Sequence, residues 1–355
     1  MRDTARFVLA VEAVEHAGDD VVRNAGAQKR ERTQVMMIRE HTHSQTAGSR
    51  RVVVVGGANT DIAGLSDAPL VARDSNPGHV RASAGGVARN IAENLARLGA
   101  ETHLVTAFGG DHNGRELAET CRDSGIDVEG SLTVASLPGS VYLSIMDEGG
   151  DMALALSDMR PLDAVTPEAL EMRAHIFDTA DLVVADTNLP AESLVWLVEN
   201  ARVPIVLDAV SVAKATRAKV VLSRLHTVKA SGLEAGALLG REIRNRDQAE
   251  EAARELVALG VTAAFVTTGA FGVAWADAAE SGHLASPNIV EIRNATGAGD
   301  AFAAGIAYAT LEAWPTLKAA AFGSACAALA LESEETVSAR MSRDLAMARM
   351  EAMLA

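Results

Sequence analysis

The run Asn294-Ala295-Thr296-Gly297-Ala298-Gly299-Asp300-Ala301-Phe302 carries more chemistry than any other stretch of this 355-residue chain. Phe302, Ile306 and Ala309 recur at helical spacing, so Gly297, Ala298 and Gly299 fall at a helix N-terminus. Free backbone N–H groups and the positive end of the helix dipole converge there, which makes a natural pocket for an anion. Asp300 follows at once. A carboxylate beside a bound anion is electrostatically unfavourable unless it is there to take a proton. An anion hole with a base next to it is the apparatus of phosphoryl transfer to a hydroxyl.

A second glycine site points the same way. Gly85-Gly86-Val87-Ala88-Arg89-Asn90 opens a helical pattern whose apolar stripe is Val87, Ile91, Leu95 and Leu98, stopping at Gly99. Asn90 sits one turn in from Gly86, where a short amide can hold a sugar hydroxyl. Upstream, Arg51 to Val55 reads as a buried strand that ends in Gly56-Gly57-Ala58-Asn59-Thr60-Asp61. An amide and a carboxylate two residues apart at the carboxyl end of a strand are well placed to grip vicinal hydroxyls.

These residues need a frame. Val52–Gly56, Thr102–Ala107, Asp181–Asp186, Val203–Asp208, Thr227–Lys229 and Ala263–Thr267 are short β-rich runs, separated by helical patterns such as Ala191–Asn200 and Gln248–Leu259. Such alternation predicts an α/β fold, a mostly parallel sheet with helices on both faces. Ser140–Asp147 and Met152–Ser157 break the pattern. They alternate in polarity around Glu148-Gly149-Gly150-Asp151, as a hairpin does.

The two glycine motifs, in this order and at this separation, resemble the two signatures of the ribokinase-like (PfkB) family of carbohydrate and nucleoside kinases. The resemblance covers about residues 51 to 335. It implies a three-layer α/β/α kinase domain over 51–345, with a small β lid built from segments near 63–83 and 139–157. Asp300 would then be the base that deprotonates the acceptor, with Gly297, Ala298 and Gly299 as the anion hole. Asn59, Asp61, Ser75, Gly85, Gly86, Asn90, Asn188 and Lys214 would bind the acceptor. Thr267, Thr268, Gly269 and Gly272 resemble the turn that holds the nucleotide. The implied cofactors are ATP and Mg²⁺, and the implied assembly is a homodimer formed through the lid. Gly57 to Gly64, Asp74 to Gly78, Asp186-Thr187-Asn188 and Asp208 to Ser211 resemble the branch of the family that phosphorylates pseudouridine. Ribose, another nucleoside or a small sugar is the alternative acceptor. An inactive nucleoside-binding sensor is the alternative of another class, and the intact Asp300 and glycine loop speak against it.

Two departures from the family pattern stand out. Where many relatives carry Asn in an NxxE motif that organises Mg²⁺ and its waters, this chain has Ser231, followed by Glu234. Glu234 is thus expected to reach the metal through water, and the shorter Ser231 to bind Mg–ATP more weakly. Asn294 stands where many ribokinases carry an Asp beside a monovalent cation, which makes K⁺ activation optional rather than required.

Composition sets the outer bounds. A formal charge of −15 argues against nucleic-acid and anionic-membrane partners. With 3% aromatic residues, base-stacking platforms for single strands are excluded as a design. Gly56-Gly57 does not spell the dinucleotide fingerprint G-x-G-x-x-G. Cys121 and Cys326 form no CxxC, which fits reduced thiols and a cytoplasmic protein. Residues 1–50 lack the apolar core of a signal peptide, and their acids do not fit a transit peptide. They read as a flexible extension, with a short helix over 6–15, or as a mis-assigned start ahead of Met36 or Met37. His41 and His43 in that stretch are read as incidental.

Overall fold

The computed structural model describes residues 50–289 and 291–355. The helix expected over residues 6–15 and the pair His41 and His43 lie outside the described residues. Of the described residues, those up to 353 form one compact unit. Its backbone is a nine-stranded sheet in the order Ser281–Leu284, Val273–Asp277, Ala263–Thr267, Thr227–Ser231, Ile205–Asp208, Leu182–Asp186, Arg51–Val55, Glu101–Val105, Ile126–Asp127. Seven of these strands run parallel, and the two at one edge are antiparallel.

The parallel strands are apolar throughout because both faces are covered. Val52, Val53, Val54 and Val55 are all fully buried. Alternate strand residues, among them Val53, Val183, Leu207, Val228 and Val266, join one core with Leu194, Leu197, Ala249, Ala253 and Leu256 of the helices Ala191–Asn200 and Arg246–Ala258. The opposite face takes the helices Val87–Arg97, Ala298–Leu311 and Thr316–Leu331, which pack on one another. There Phe265 of the sheet meets Phe302 edge to face, ring centroids 6.1 Å apart, a contact that fixes the helix bearing Asp300.

The segments expected to form the lid make a separate four-stranded sheet in the order Gly78–Gly85, Asn59–Ser66, Val141–Met146, Met152–Asp158. Its hairpin pairs Tyr142 with Ser157 and Leu143 with Leu156. The strand expected over Thr102–Ala107 is in fact two. Glu101–Val105 belongs to the main sheet, whereas Ala107–Gly109 turns away to pair with Leu132–Val134. The compact unit also runs past residue 345. In the helix Arg343–Leu354, Ala346 and Met350 are buried.

No helix among the described residues is long and apolar enough to cross a membrane. Cys121 and Cys326 are buried and free, and burial pushes the Cys121 thiol up to about 11, so neither is a nucleophile.

Candidate active site

The helix Ala298–Leu311 begins at Gly297, which adopts φ +85° and has no side-chain cap. A side chain at Gly297 would run into the carbonyl of Thr336, so the tight entry into the helix depends on glycine. The uncapped first turn leaves its N–H groups for an anion. Asp300 lies in this turn, half-buried. Burial and the neighbouring Asp208 carboxylate push its pKa up to about 7, against a hydrogen bond from Asn90 and the charge of Lys229, while Asp186 adds to the rise. A base poised near neutrality is what proton abstraction needs.

The second glycine motif meets the first here. Asn90, in the helix Val87–Arg97, donates from Nδ2 to Asp300 Oδ2 over 2.8 Å, across 210 residues of sequence. Asn59 donates to Asp61 Oδ1 at 2.6 Å. Asp61 lies over Gly85, where any Cβ would occupy the place of its carboxylate. Burial raises the Asp61 pKa, with Asn59 and the charge of Arg89 pulling the other way. Beside them Lys214 Nζ donates to Asn188 Oδ1 at 2.6 Å, and Asn188 lies next to Gly57. Burial pulls the Lys214 pKa down, against the attraction of Asp186.

Ser75 is placed elsewhere. It sits exposed in the loop between the first two lid strands, a loop held by Asn76 bonding both backbone groups of Val71. The structure does not bring it to the other candidates.

On the nucleotide side, Thr267 ends its strand, and Thr268 closes a turn by donating from Oγ1 and N to Gly272 O, at 3.0 and 2.8 Å. Gly269 and Gly272 both take positive φ in this turn. Ser231 and Glu234 form a reciprocal capping box on the helix Gly232–Leu239. Ser231 N donates to Glu234 Oε2 at 2.7 Å, and Glu234 N donates to Ser231 Oγ at 3.3 Å. One carboxylate oxygen of Glu234 is therefore committed to its own helix terminus. Among the described residues no group of three His, Cys, Asp or Glu side chains is arranged to hold a metal ion. Asn294 accepts from Thr296 N and donates to Glu334 O at 3.1 Å, so its amide is already engaged.

Sequence reasoning gave no site role to three charged residues that fall in one row. Asp186, Asp208 and Lys229 lie in register on adjacent parallel strands, the two aspartates as the last residues of theirs and Lys229 in the middle of Thr227–Ser231. Asp186, fully buried, accepts from the N–H groups of Gly57, Ala88 and Asn188 at 2.8–3.0 Å, tying the first strand, the Asn90 helix and Asn188 together. Lys229 pairs with Asp208 at 2.9 Å, and its Nζ lies 3.1 Å from where a Cβ of Gly299 would be. Burial opposes its charge, but Asp208, Glu234 and Asp300 outweigh burial and hold it protonated. The available signal was an Asp closing each of two apolar runs, Leu182–Asp186 and Ile205–Asp208, and a Lys within the next.

The chain and its fold are matched by known proteins. The family model of pfkB carbohydrate kinases matches residues 49–342. The chain belongs to this kinase family. Pseudouridine kinase of Escherichia coli K12 is 36% identical over 286 residues, covering 80% of this chain and 91% of that one. The structure of a carbohydrate kinase from Agrobacterium tumefaciens is similar at TM-score 0.76 and 31% identity, over 85% of this chain and 97% of that one. Arabidopsis thaliana ribokinase, solved with ribose and ATP, shares the fold at TM-score 0.76 and 22% identity, over 86% and 99% of the two chains. This pfkB kinase is thus a phosphotransferase that acts on a sugar or nucleoside hydroxyl.

Proposed function

We propose that the chain transfers the γ-phosphoryl group of ATP to the 5′-hydroxyl of pseudouridine. The observation that carries the chemistry is Asp300. It is a crowded carboxyl with a pKa of about 7, held by Asn90 at the uncapped start of a glycine-led helix. Asp300 takes the hydroxyl proton while the acceptor oxygen bonds to the γ-phosphorus and the bond to the β-phosphate oxygen breaks, releasing ADP. N–H groups of Gly297, Ala298 and Gly299, with Lys229 beside them, hold the charge of the phosphoryl group in flight. Glu234 would hold Mg²⁺ through water, and the ion would supply further charge neutralisation to the phosphates.

Pseudouridine is favoured over a bare sugar by the lid and by the likeness to the Escherichia coli enzyme. Alternation along the paired strands puts Ser83, Tyr142 and Ser157 on the same face as Asp61. With Lys214 and Asn188 they offer hydrogen-bond partners to a ring rich in N–H and C=O groups. ADP release with Mg–ATP across pseudouridine, uridine, adenosine, ribose and fructose 6-phosphate tests this. Turnover at least tenfold higher on pseudouridine is expected. Preference for ribose or adenosine would overturn the acceptor and keep the chemistry.

Ser231 leads to a second expectation. Asn is also a good N-cap, so Ser231→Asn keeps the helix start and adds reach towards the phosphates. The Mg–ATP concentration for half-maximal rate should fall several-fold, and an unchanged value would sink the idea that Ser231 weakens nucleotide binding.

The lid's other face motivates a dimer. Ile62, Leu143, Ile145, Leu154, Leu156 and Val80 share the face opposite Asp61, with Val80, Leu154 and Leu156 exposed by 77%, 59% and 62%. A contiguous apolar face of this kind suits a second copy of the lid. Sedimentation should show a dimer that Leu154→Lys with Leu156→Lys converts to monomer. A wild-type monomer would refute the proposal. The charge balance and the thiols favour a cytoplasmic setting.

A further inference from the structure

Arg89 is buried, and its guanidinium is taken up by its own helix and the strand before it. Its guanidinium pairs with Glu93 one turn along the helix, with both side chains 5% exposed. Glu93 is held in turn by Arg97, at 2.7 and 2.9 Å. The other arm of Arg89 donates from Nη1 to Asn90 Oδ1 at 2.9 Å and to Ala84 O at 3.3 Å. Asn90 then donates from Nδ2 to Asp300 Oδ2.

This chain of contacts has only one sense. A guanidinium has donors and no acceptor, so it must face the carbonyl oxygen of the Asn90 amide. A carboxylate has acceptors and no donor, so it must face the NH₂. Turning the amide over would set N–H against N–H on one side and oxygen against oxygen on the other. The amide is therefore locked, and one oxygen of Asp300 is bound, leaving the other for the acceptor's hydroxyl.

We infer that Arg89, fixed by Glu93, is a positioning residue that orients Asn90 and through it aims and tunes Asp300. Without Arg89 the amide is held from one side only, and the hydrogen bond that favours the ionised form of Asp300 weakens. The affinity of Asp300 for a proton then rises, by up to roughly five- to tenfold on the scale of one such bond. The inference rests on Asp300 being the base, and its test is independent of turnover.

The experiment is a pH titration of the Asp300 carboxyl carbon by ¹³C NMR in aspartate-labelled protein, assigned through the signal missing in Asp300→Asn. In Arg89→Met, Glu93 keeps Arg97 as partner, and the midpoint should move to higher pH. Asn90→Ala should show the same move. Adding Arg89→Met to Asn90→Ala should then change nothing further, since the effect passes through Asn90. Should Arg89→Met fail to fold, Arg89→Lys keeps a charge beside Glu93 but lacks the forked reach to Asn90, and it should give the same shift. An unmoved midpoint in a folded Arg89 variant overturns the inference. So does a shift that persists in the Asn90→Ala background, which would mean a direct or global effect. If the acceptor panel shows no turnover while these shifts appear, the proposed reaction fails and the positioning role stands.

Discussion

Asp300→Asn is expected to lower kcat by about 10²–10⁴-fold while leaving the protein at least as stable as the parent. Asn has nearly the same shape and keeps an oxygen that can accept from Asn90 Nδ2, so the bond between the two glycine motifs survives. What disappears is the ability to take a proton. The stability expectation follows from the same electrostatics that make the base. Burial and the neighbouring carboxylates of Asp208 and Asp186 oppose the charge on Asp300, so removing that charge relieves a cost rather than adding one. The sign with pH is also determined. The working form is ionised, so the parent rate should fall as pH drops through about 7, approaching tenfold per unit below it. The residual rate of the variant should not show that limb. Steady-state kinetics between pH 5.5 and 8.5, with thermal unfolding at each pH, check all of this. A loss of rate accompanied by a lower melting temperature would instead make Asp300 a structural residue.

Much of this site was legible in the chain because its key features are local. A glycine pair followed by an apolar stripe, as at Gly85 to Leu98, states where a helix starts and which face it buries. The carboxyl end of Arg51–Val55 likewise announced Asn59 and Asp61. Partnerships set by topology were not legible. Nothing near Asn90 indicates that its amide will meet a carboxylate 210 positions away. Asp186, Asp208 and Lys229 become neighbours only once three parallel strands take their register, and no window of sequence contains more than one of them. Ser75 was drawn in by likeness to a motif, and it lies exposed in a loop between two lid strands, with no bond to the other candidates. The run Thr102–Ala107 was read as one strand because every residue suits a strand. The bend after Val105 comes from pairing with Leu132–Val134, which local propensity does not encode. The capping box of Ser231 and Glu234 was visible as a spacing, but the family pattern drew attention to the metal instead.

Lys229→Met should produce the largest loss of stability of any single change near the site, and a loss of nucleotide affinity with it. Lys229 is the cation among Asp208, Glu234 and Asp300, and its side chain is 8% exposed against 2% for Asp208. Breaking a buried pair by removing one partner typically costs about 3–5 kcal/mol, because the remaining charge is left uncompensated. Some of that cost will be avoided by proton uptake. Asp300 loses a favourable neighbour, so its pKa should rise above the parent's value of about 7 and the acid limb of the rate should move to higher pH. Nucleotide binding suffers separately, since Nζ lies beside Gly299 at the start of the anion hole. The two effects can be parted by a second change. Asp208→Asn removes the stranded carboxylate, so the double variant Lys229→Met with Asp208→Asn should regain most of the lost stability. It should regain none of the ATP affinity, because no cation has been restored beside the glycine loop. Denaturant unfolding and nucleotide titration on the parent, both single variants and the double variant decide the matter. If ATP affinity returns together with stability, Lys229 serves only the fold. If affinity stays low in a protein that is stable again, the buried lysine holds phosphate as well as the sheet.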